Sequence, residues 1–227
     1  MGSAQDKDKK AAAEMAVREV KGGMRLAVGS GSTVNFFVEE LGRKKYPNPI
    51  VCASEATEKL AKKVGLKTMT LDEALKPDKT GERRYLDIYV DGADEVDKTY
   101  SLIKGGGGAL TREKVVASAS NEFICIVDAS KSVTKLGKFP LPIEVVPYAK
   151  EYVTAELTEL GAKVVERKKY VTDNGNVILD VTGLDFADPL QLETELNNIP
   201  GVVENGIFAV RQPERLITSK NGKAQYM

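Results

Sequence analysis

Four short, apolar-rich runs at residues 25–28, 50–53, 85–90 and 123–127 recur through the first 127 residues of this chain, with helical patterning between them. Such runs are too short for helices, and strands that alternate with helices pair in parallel, with both faces of their sheet covered. Ala13, Ala16, Val17 and Val20 recur at helical spacing before a stop at Gly22-Gly23. Val34, Phe37, Val38 and Leu41 make the apolar stripe of a second helix, and a third is expected from Thr57 to Val64. The pattern predicts an α/β fold with a Rossmann-like, mostly parallel sheet.

After Lys131 the texture changes. A strand at 143–146 leads to a helix at 148–160 stopped by Gly161, and Asp173-Asn174-Gly175 signals a hairpin whose second strand covers 177–181. Asp188 then caps a helix, with Pro189 in its first turn and Gln191 completing a capping box; Ile199-Pro200-Gly201 stops it before a last strand near Val202. The order β-α-β-β-α-β predicts a second, smaller ferredoxin-like α+β domain over residues 133–206. Residues 1–132 and 207–227 form the Rossmann-like catalytic domain in this reading. Phe208 to Val210, Arg215 to Thr218 and the Asn221-Gly222 turn return to it as edge strands.

Histidine is absent from all 227 residues, which removes Ser-His-Asp and Cys-His nucleophile systems and histidine metal ligation together. Carboxylates and lysines must then carry any proton chemistry. With 33 basic and 33 acidic side chains the net charge is zero, which argues against general attraction to nucleic acid or anionic membrane. No apolar run approaches the roughly 18 residues of a membrane span, and the polar N-terminus lacks a signal-peptide core. Cys52 and Cys125 lie in apolar runs and read as core residues, so a reducing, cytoplasmic location is expected.

Gly29-Ser30-Gly31-Ser32-Thr33 joins a strand to a helix, where backbone N–H groups and hydroxyls suit a phosphate. It is not a nucleotide loop: no Gly-Lys-Ser/Thr follows, and Val34 occupies the third glycine position of the dinucleotide fingerprint. The alternative is a tight turn with a Ser or Thr cap. Asp91-Gly92-Ala93-Asp94-Glu95 follows the strand ending at Val90, at the carboxyl edge where open α/β sheets bind ligands; a surface Asx turn is the plainer reading.

Lys104 precedes Gly105-Gly106-Gly107-Gly108, a run that is destabilising unless the backbone bends sharply or approaches a ligand closely. Thr111 is expected to cap the next helix, with Glu113 in its first turn either complementing the helix dipole or serving as a base. Asp128-Ala129-Ser130-Lys131 ends another strand, where Lys131 suits an anion and Ser130 or Asp128 suits a cap. Together these segments describe a site for an anionic substrate that needs proton transfer.

These segments closely resemble ribose-5-phosphate isomerase type A, and the acidic turn and glycine run with Ala109-Leu110-Thr111-Arg112-Glu113-Lys114 are the most specific to it. The similarity continues through Gly137 to Pro142, Val171 to Asn176 and Ile199 to Val202, and so covers nearly the whole chain. The resemblance implies an aldose-ketose isomerase of the non-oxidative pentose phosphate pathway that interconverts ribose 5-phosphate and ribulose 5-phosphate through an enediolate. It implies Glu113 as the base, with Asp91, Asp94 and Lys104 assisting ring opening and stabilising the sugar oxygens. Ser30, Gly31, Ser32, Thr33 and Lys131 hold the phosphate, Lys9 adds a further phosphate contact, and Gly92, Ala93, Gly105, Gly106 and Gly107 line the substrate. Ser30 stands where the family usually has threonine, which keeps the hydroxyl. No cofactor or metal is implied, the partner is a small sugar phosphate, and homodimers or homotetramers are expected. The competing reading, a catalytically silent sugar-phosphate sensor, gives no reason to keep Glu113 with Lys104 and both aspartates.

Overall fold

A computed structural model describes residues 3–77, 79–82 and 84–227. In chain order its elements are α1 (Ala4–Val17), β1 (Leu26–Val28), α2 (Ser32–Arg43), β2 (Ile50–Cys52), α3 (Glu55–Lys63), β3 (Thr68–Met69), α4 (Leu71–Leu75), β4 (Leu86–Asp91), β5 (Glu95–Val96), β6 (Leu102–Ile103), α5 (Leu110–Ser118) and β7 (Ser120–Asp128). They continue with β8 (Leu141–Val145), α6 (Lys150–Glu159), β9 (Lys163–Glu166), β10 (Val177–Thr182), α7 (Pro189–Asn197), β11 (Val202–Asn205), β12 (Ile207–Phe208), β13 (Arg215–Lys220) and β14 (Lys223–Tyr226). Two compact units result. One holds the chain up to Gly92 with Val115–Ser130 and Pro213–Met227; the other holds Ala93–Lys114 and Lys131–Gln212.

The first unit is built on a sheet ordered β14-β13-β7-β4-β1-β2-β3, parallel throughout except for the terminal β13–β14 hairpin. Without β14 and counted in chain order within the sheet, this is the 3-2-1-4-5-6 arrangement of doubly wound folds, whose strand order reverses between β1 and β4. The strands are apolar runs rather than alternating ones because both faces are buried. On one face Val28, Ile88, Val90, Ile124, Ile126 and Ile217 pack in a common core with Ala12, Ala16, Phe37 and Leu41 of the helices. Tyr89 and Phe123, alternate to those strand residues, stack with ring centroids 4.9 Å apart. α1 ends at Val17, before the Gly22-Gly23 stop read from sequence, and its start is fixed by a capping box between Ser3 and Asp6.

The second unit contains a four-stranded antiparallel sheet ordered β11-β8-β10-β9, the ferredoxin-like arrangement of its β-α-β-β-α-β run. Leu141, Ile143 and Val145 of β8 bury against Val153 and Leu157 of α6 and Leu196 of α7. Glu144, between them in sequence, faces the other side of the sheet.

This unit also takes in residues 93–114 and 207–212, which a division at 132 and 207 would give to the parallel-sheet domain. β5, β6 and β12 form a small antiparallel sheet, and buried Glu95 accepts hydrogen bonds from the N–H groups of Gly137 and Phe139. The β6–β12 pairing and the Glu95 contacts are distant in sequence and leave no local pattern to read.

The hairpin expected around Asp173-Asn174-Gly175 forms, and three other local expectations are corrected. β9 and β10 pair antiparallel across a ten-residue connection that holds Asn174-Gly175, where Thr172 and Asn176 close the turn. Thr111 lies inside α5 rather than capping it. Gln191 receives the cap from Asp188, but its amide side chain turns forward to Glu195. β13 is an inner strand between β7 and β14, so only β14 is an edge there.

Candidate active site

In the first unit the sheet's reversal point sets the geometry. The chain leaves β1 at Gly29, whose N–H bonds Val90 O at 3.0 Å and whose carbonyl accepts from buried Thr57 Oγ1 at 2.8 Å. A side chain here would collide with Asp91, since an added Cβ would lie 1.8 Å from its Cγ. Asp91, fully buried at the end of β4, accepts from Ser30 N at 3.1 Å and Gly92 N at 2.7 Å, and its second oxygen accepts from Tyr89 Oη. The expected acidic turn and hydroxyl loop are thus one hydrogen-bonded structure.

Gly31, with φ +95°, is the N-cap of α2, and no side chain caps that helix. The reading of this segment as a simple Ser or Thr cap therefore fails. Ser32 and Thr33 open the helix, so their N–H groups lie at the positive end of its dipole. Lys9 lies half-buried on α1, where it is a minor contributor, after the Ser3 N–H and hydroxyl, to lowering the Asp6 carboxyl below its usual range.

In the second unit Asp94 follows Ala93 and precedes β5, and its Oδ2 accepts from Gly106 N at 2.7 Å. Lys104 ends the β6 segment, its N–H held by Gly206 O at 2.8 Å, and Glu113 lies in the first turn of α5. Both side chains are only 3% exposed, and Lys104 Nζ stands 3.1 Å from Glu113 Oε2. Removing one partner of so buried a pair leaves an uncompensated charge, at a cost of about 3–5 kcal/mol.

The Lys104 ammonium also lies 5.4 Å from the centroid of Phe208, whose ring carries Lys114 at 4.8 Å. Lys114, adjacent to Glu113, is committed elsewhere: its ammonium bonds Glu193, Glu204 and the Asn205 carbonyl.

The glycine run has a specific cause at two positions. Gly105 and Gly108 hold φ of +96° and +80°, and an added Cβ at Gly108 would fall 2.1 Å from Tyr170 Oη. Arg167 bonds the carbonyls of Gly105 and Gly106, and Tyr170 Oη donates to Gly107 O at 2.8 Å. Burial raises the Tyr170 hydroxyl above its usual pKa and so keeps it a donor. Because a trans peptide carries C=O and N–H on opposite sides, the Gly107 N–H points away from Arg167.

Lys131 closes a short 3-10 turn after β7, and Asp128 caps that turn by accepting from Ser130 N at 3.0 Å. Tyr89, Glu144, Arg167 and Tyr170 were not singled out from sequence. Of these only Glu144, a lone acid in the apolar run Leu141 to Val146, carried a signal. Cys52, its thiol pushed up to about 12 by burial, and Cys125 form no disulfide and lie outside these clusters. Among the described residues, no group of three His, Cys, Asp or Glu is placed to hold a metal ion.

A buried lysine–glutamate pair in the second unit and, in the first, an uncapped helix start on a doubly wound sheet are each features of enzymes that move protons on anionic substrates. Residues 49–222 match the family model described as ribose 5-phosphate isomerase A (phosphoriboisomerase A). A curated ribose-5-phosphate isomerase A from Acidithiobacillus ferrooxidans is 50% identical over 215 residues, 94% of either chain. One from Legionella pneumophila is 47% identical, over 93% of this chain and 94% of its own.

Among solved structures, ribose 5-phosphate isomerase A from Neisseria gonorrhoeae superposes with a TM-score of 0.92 at 42% identity, covering 98% of this chain and 96% of that one. A D-ribose-5-phosphate isomerase in complex with phospho-erythronic acid gives 0.88 at 36% identity, covering 100% and 99%. This chain belongs to the ribose 5-phosphate isomerase A family, and it is an isomerase.

Proposed function

We propose that this protein interconverts ribose 5-phosphate and ribulose 5-phosphate by moving one proton between C2 and C1 of the opened sugar, with Glu113 as the base. The buried Lys104–Glu113 pair carries this reading, because it joins a carboxylate to a cation in one dry location. The carboxylate takes the C2 proton of the aldose, and the electron pair passes through the C1–C2 bond to the aldehyde oxygen, giving an enediolate. Lys104 Nζ and the Asp94 carboxyl face the sugar oxygens, assist ring opening and stabilise the negative charge. Returning the proton to C1, as the C2 hydroxyl loses its own to O1, completes the ketose.

The phosphate is held by Ser30, Gly31, Ser32 and Thr33 at the α2 start and by Lys131, with Lys9 as an outer contact. Gly92, Ala93, Gly105, Gly106 and Gly107 line the sugar. Asp91 serves this chemistry through the loop it braces. The phospho-erythronic acid bound by a relative supports this reading, since its carboxylate sets two oxygens as a planar anion, much as an enediolate does. No described helix is long and apolar enough to cross a membrane, and we assign the enzyme to the cytoplasm as a homodimer or homotetramer.

Ketopentose formation from ribose 5-phosphate tests the assignment, with Glu113→Gln assayed beside the wild type. The variant is expected to bind phosphate as before and to lose about 10²-fold or more of its turnover. Near-wild-type turnover in that variant would remove Glu113 from the role.

A further inference from the structure

Glu144 is 0% exposed, and it lies on the face of β8 opposite the apolar core. Four side chains from two separate segments donate to it. Thr111 Oγ1 bonds Oε2, while Thr172 Oγ1, Asn174 Nδ2 and Asn176 Nδ2 reach Oε1 at 2.9, 3.1 and 2.7 Å. A buried carboxylate costs desolvation that an apolar residue would avoid, so its use here calls for a reason beyond filling space.

The reason lies in what the donors carry. Thr111 stands two residues before Glu113 in the first turn of α5. Arg112, between them, donates to Asn174 Oδ1 at 2.9 Å and to Asp173 O at 2.6 Å, so it too is tied to the segment that Glu144 gathers. Residues two apart on an α-helix project about 200° apart around its axis. Fixing Thr111 toward Glu144 therefore sets the rotation of this turn and turns Glu113 to the other side, where Lys104 stands 3.1 Å from its carboxylate.

We infer that Glu144 is a positioning residue for the isomerisation, aligning the Glu113 carboxylate with Lys104 through the Thr111 hydroxyl. The inference rests on Glu113 being the base. Misalignment of a base slows the chemical step and leaves phosphate anchoring intact, because the anchoring residues lie elsewhere in the chain. The signature is therefore a loss in kcat at nearly constant KM.

Thr111→Val keeps the side-chain shape and removes only the hydroxyl; Thr111→Ser keeps the hydroxyl. Steady-state kinetics on ribose 5-phosphate, well below the unfolding midpoint, should show Thr111→Val losing about tenfold or more in kcat with KM within about twofold. Thr111→Ser should retain at least about half of the wild-type kcat, a rescue that a packing role would not give. If Thr111→Val does not fold, Glu144→Gln decides by the same split. Thr111→Val with wild-type kcat beside an inactive Glu113→Gln overturns the positioning role and leaves the base assigned. An equal loss in the Ser and Val variants also overturns it. An active Glu113→Gln removes the reading beneath it, and the inference falls with that reading.

Discussion

A methyl group at Gly29 has no room, because the space it needs is held by the Asp91 carboxyl, 1.8 Å from an ideal Cβ. Asp91 is fully buried and braced by Tyr89, Ser30 and Gly92, so it cannot yield without releasing the loop that opens α2. Gly29→Ala is expected to raise KM for ribose 5-phosphate about tenfold or more and to cost about 1–3 kcal/mol of stability by overpacking. Substrate titration and urea unfolding of the variant check both; an unchanged KM would detach Asp91 from phosphate binding.

The sequence singled out both partners of this contact, since glycine after a strand and aspartate at a strand's end are local signals. Their collision is not local: 62 positions separate the two residues and only the pairing of β1 with β4 brings them together. Glu144 was hidden for the same reason. Its donors come from positions 33 residues before and up to 32 residues after it.

Two Asn-Gly pairs show what decides a turn at the scale of an element. Asn221-Gly222 joins β13 to β14 with both residues at positive φ, 54° and 75°, as a two-residue hairpin requires. Asn174-Gly175 has only its glycine at positive φ, because Asn174 and Asn176 are drawn to Glu144 and β9 ends at Glu166, well before them. The dipeptide sets a preference, and a buried acceptor nearby overrides it. Gly222→Ala keeps the hairpin contacts but forces a Cβ into the left-handed region, so a loss of about 1–2 kcal/mol is expected. Urea midpoints should fall accordingly with kcat unchanged, since β14 is the edge strand on the far side of β13 and β7 from β4. A fall in kcat at constant stability would mean that the hairpin reaches the catalytic residues.

At the scale of the molecule, alternating strands and helices made the parallel sheet legible, but not that its chain ends are bound to each other. Glu19, just beyond α1, bonds Arg215 of β13 at 2.6 Å and accepts from Tyr226 of β14, and Arg215 also bonds Glu122 of β7. No periodicity announces partners 196 and 207 residues apart. The Tyr226 hydroxyl, and after it the Arg215 guanidinium, hold the Glu19 carboxyl below its usual pKa, whereas the unfolded chain returns it to about 4.3. A carboxylate with a depressed folded pKa contributes stability that is fully present above its unfolded pKa and is lost as pH falls through the folded value.

Glu19→Gln should therefore unfold at lower urea than the wild type at neutral pH. The gap should narrow below about pH 4.3 and close once Glu19 is protonated in the folded protein as well. Salt should shrink the neutral-pH gap, since these side chains are partly exposed. A gap that stays constant into acid would mean that Glu19 acts by packing, and the clasp between the first helix and the last hairpin would then owe nothing to its charge.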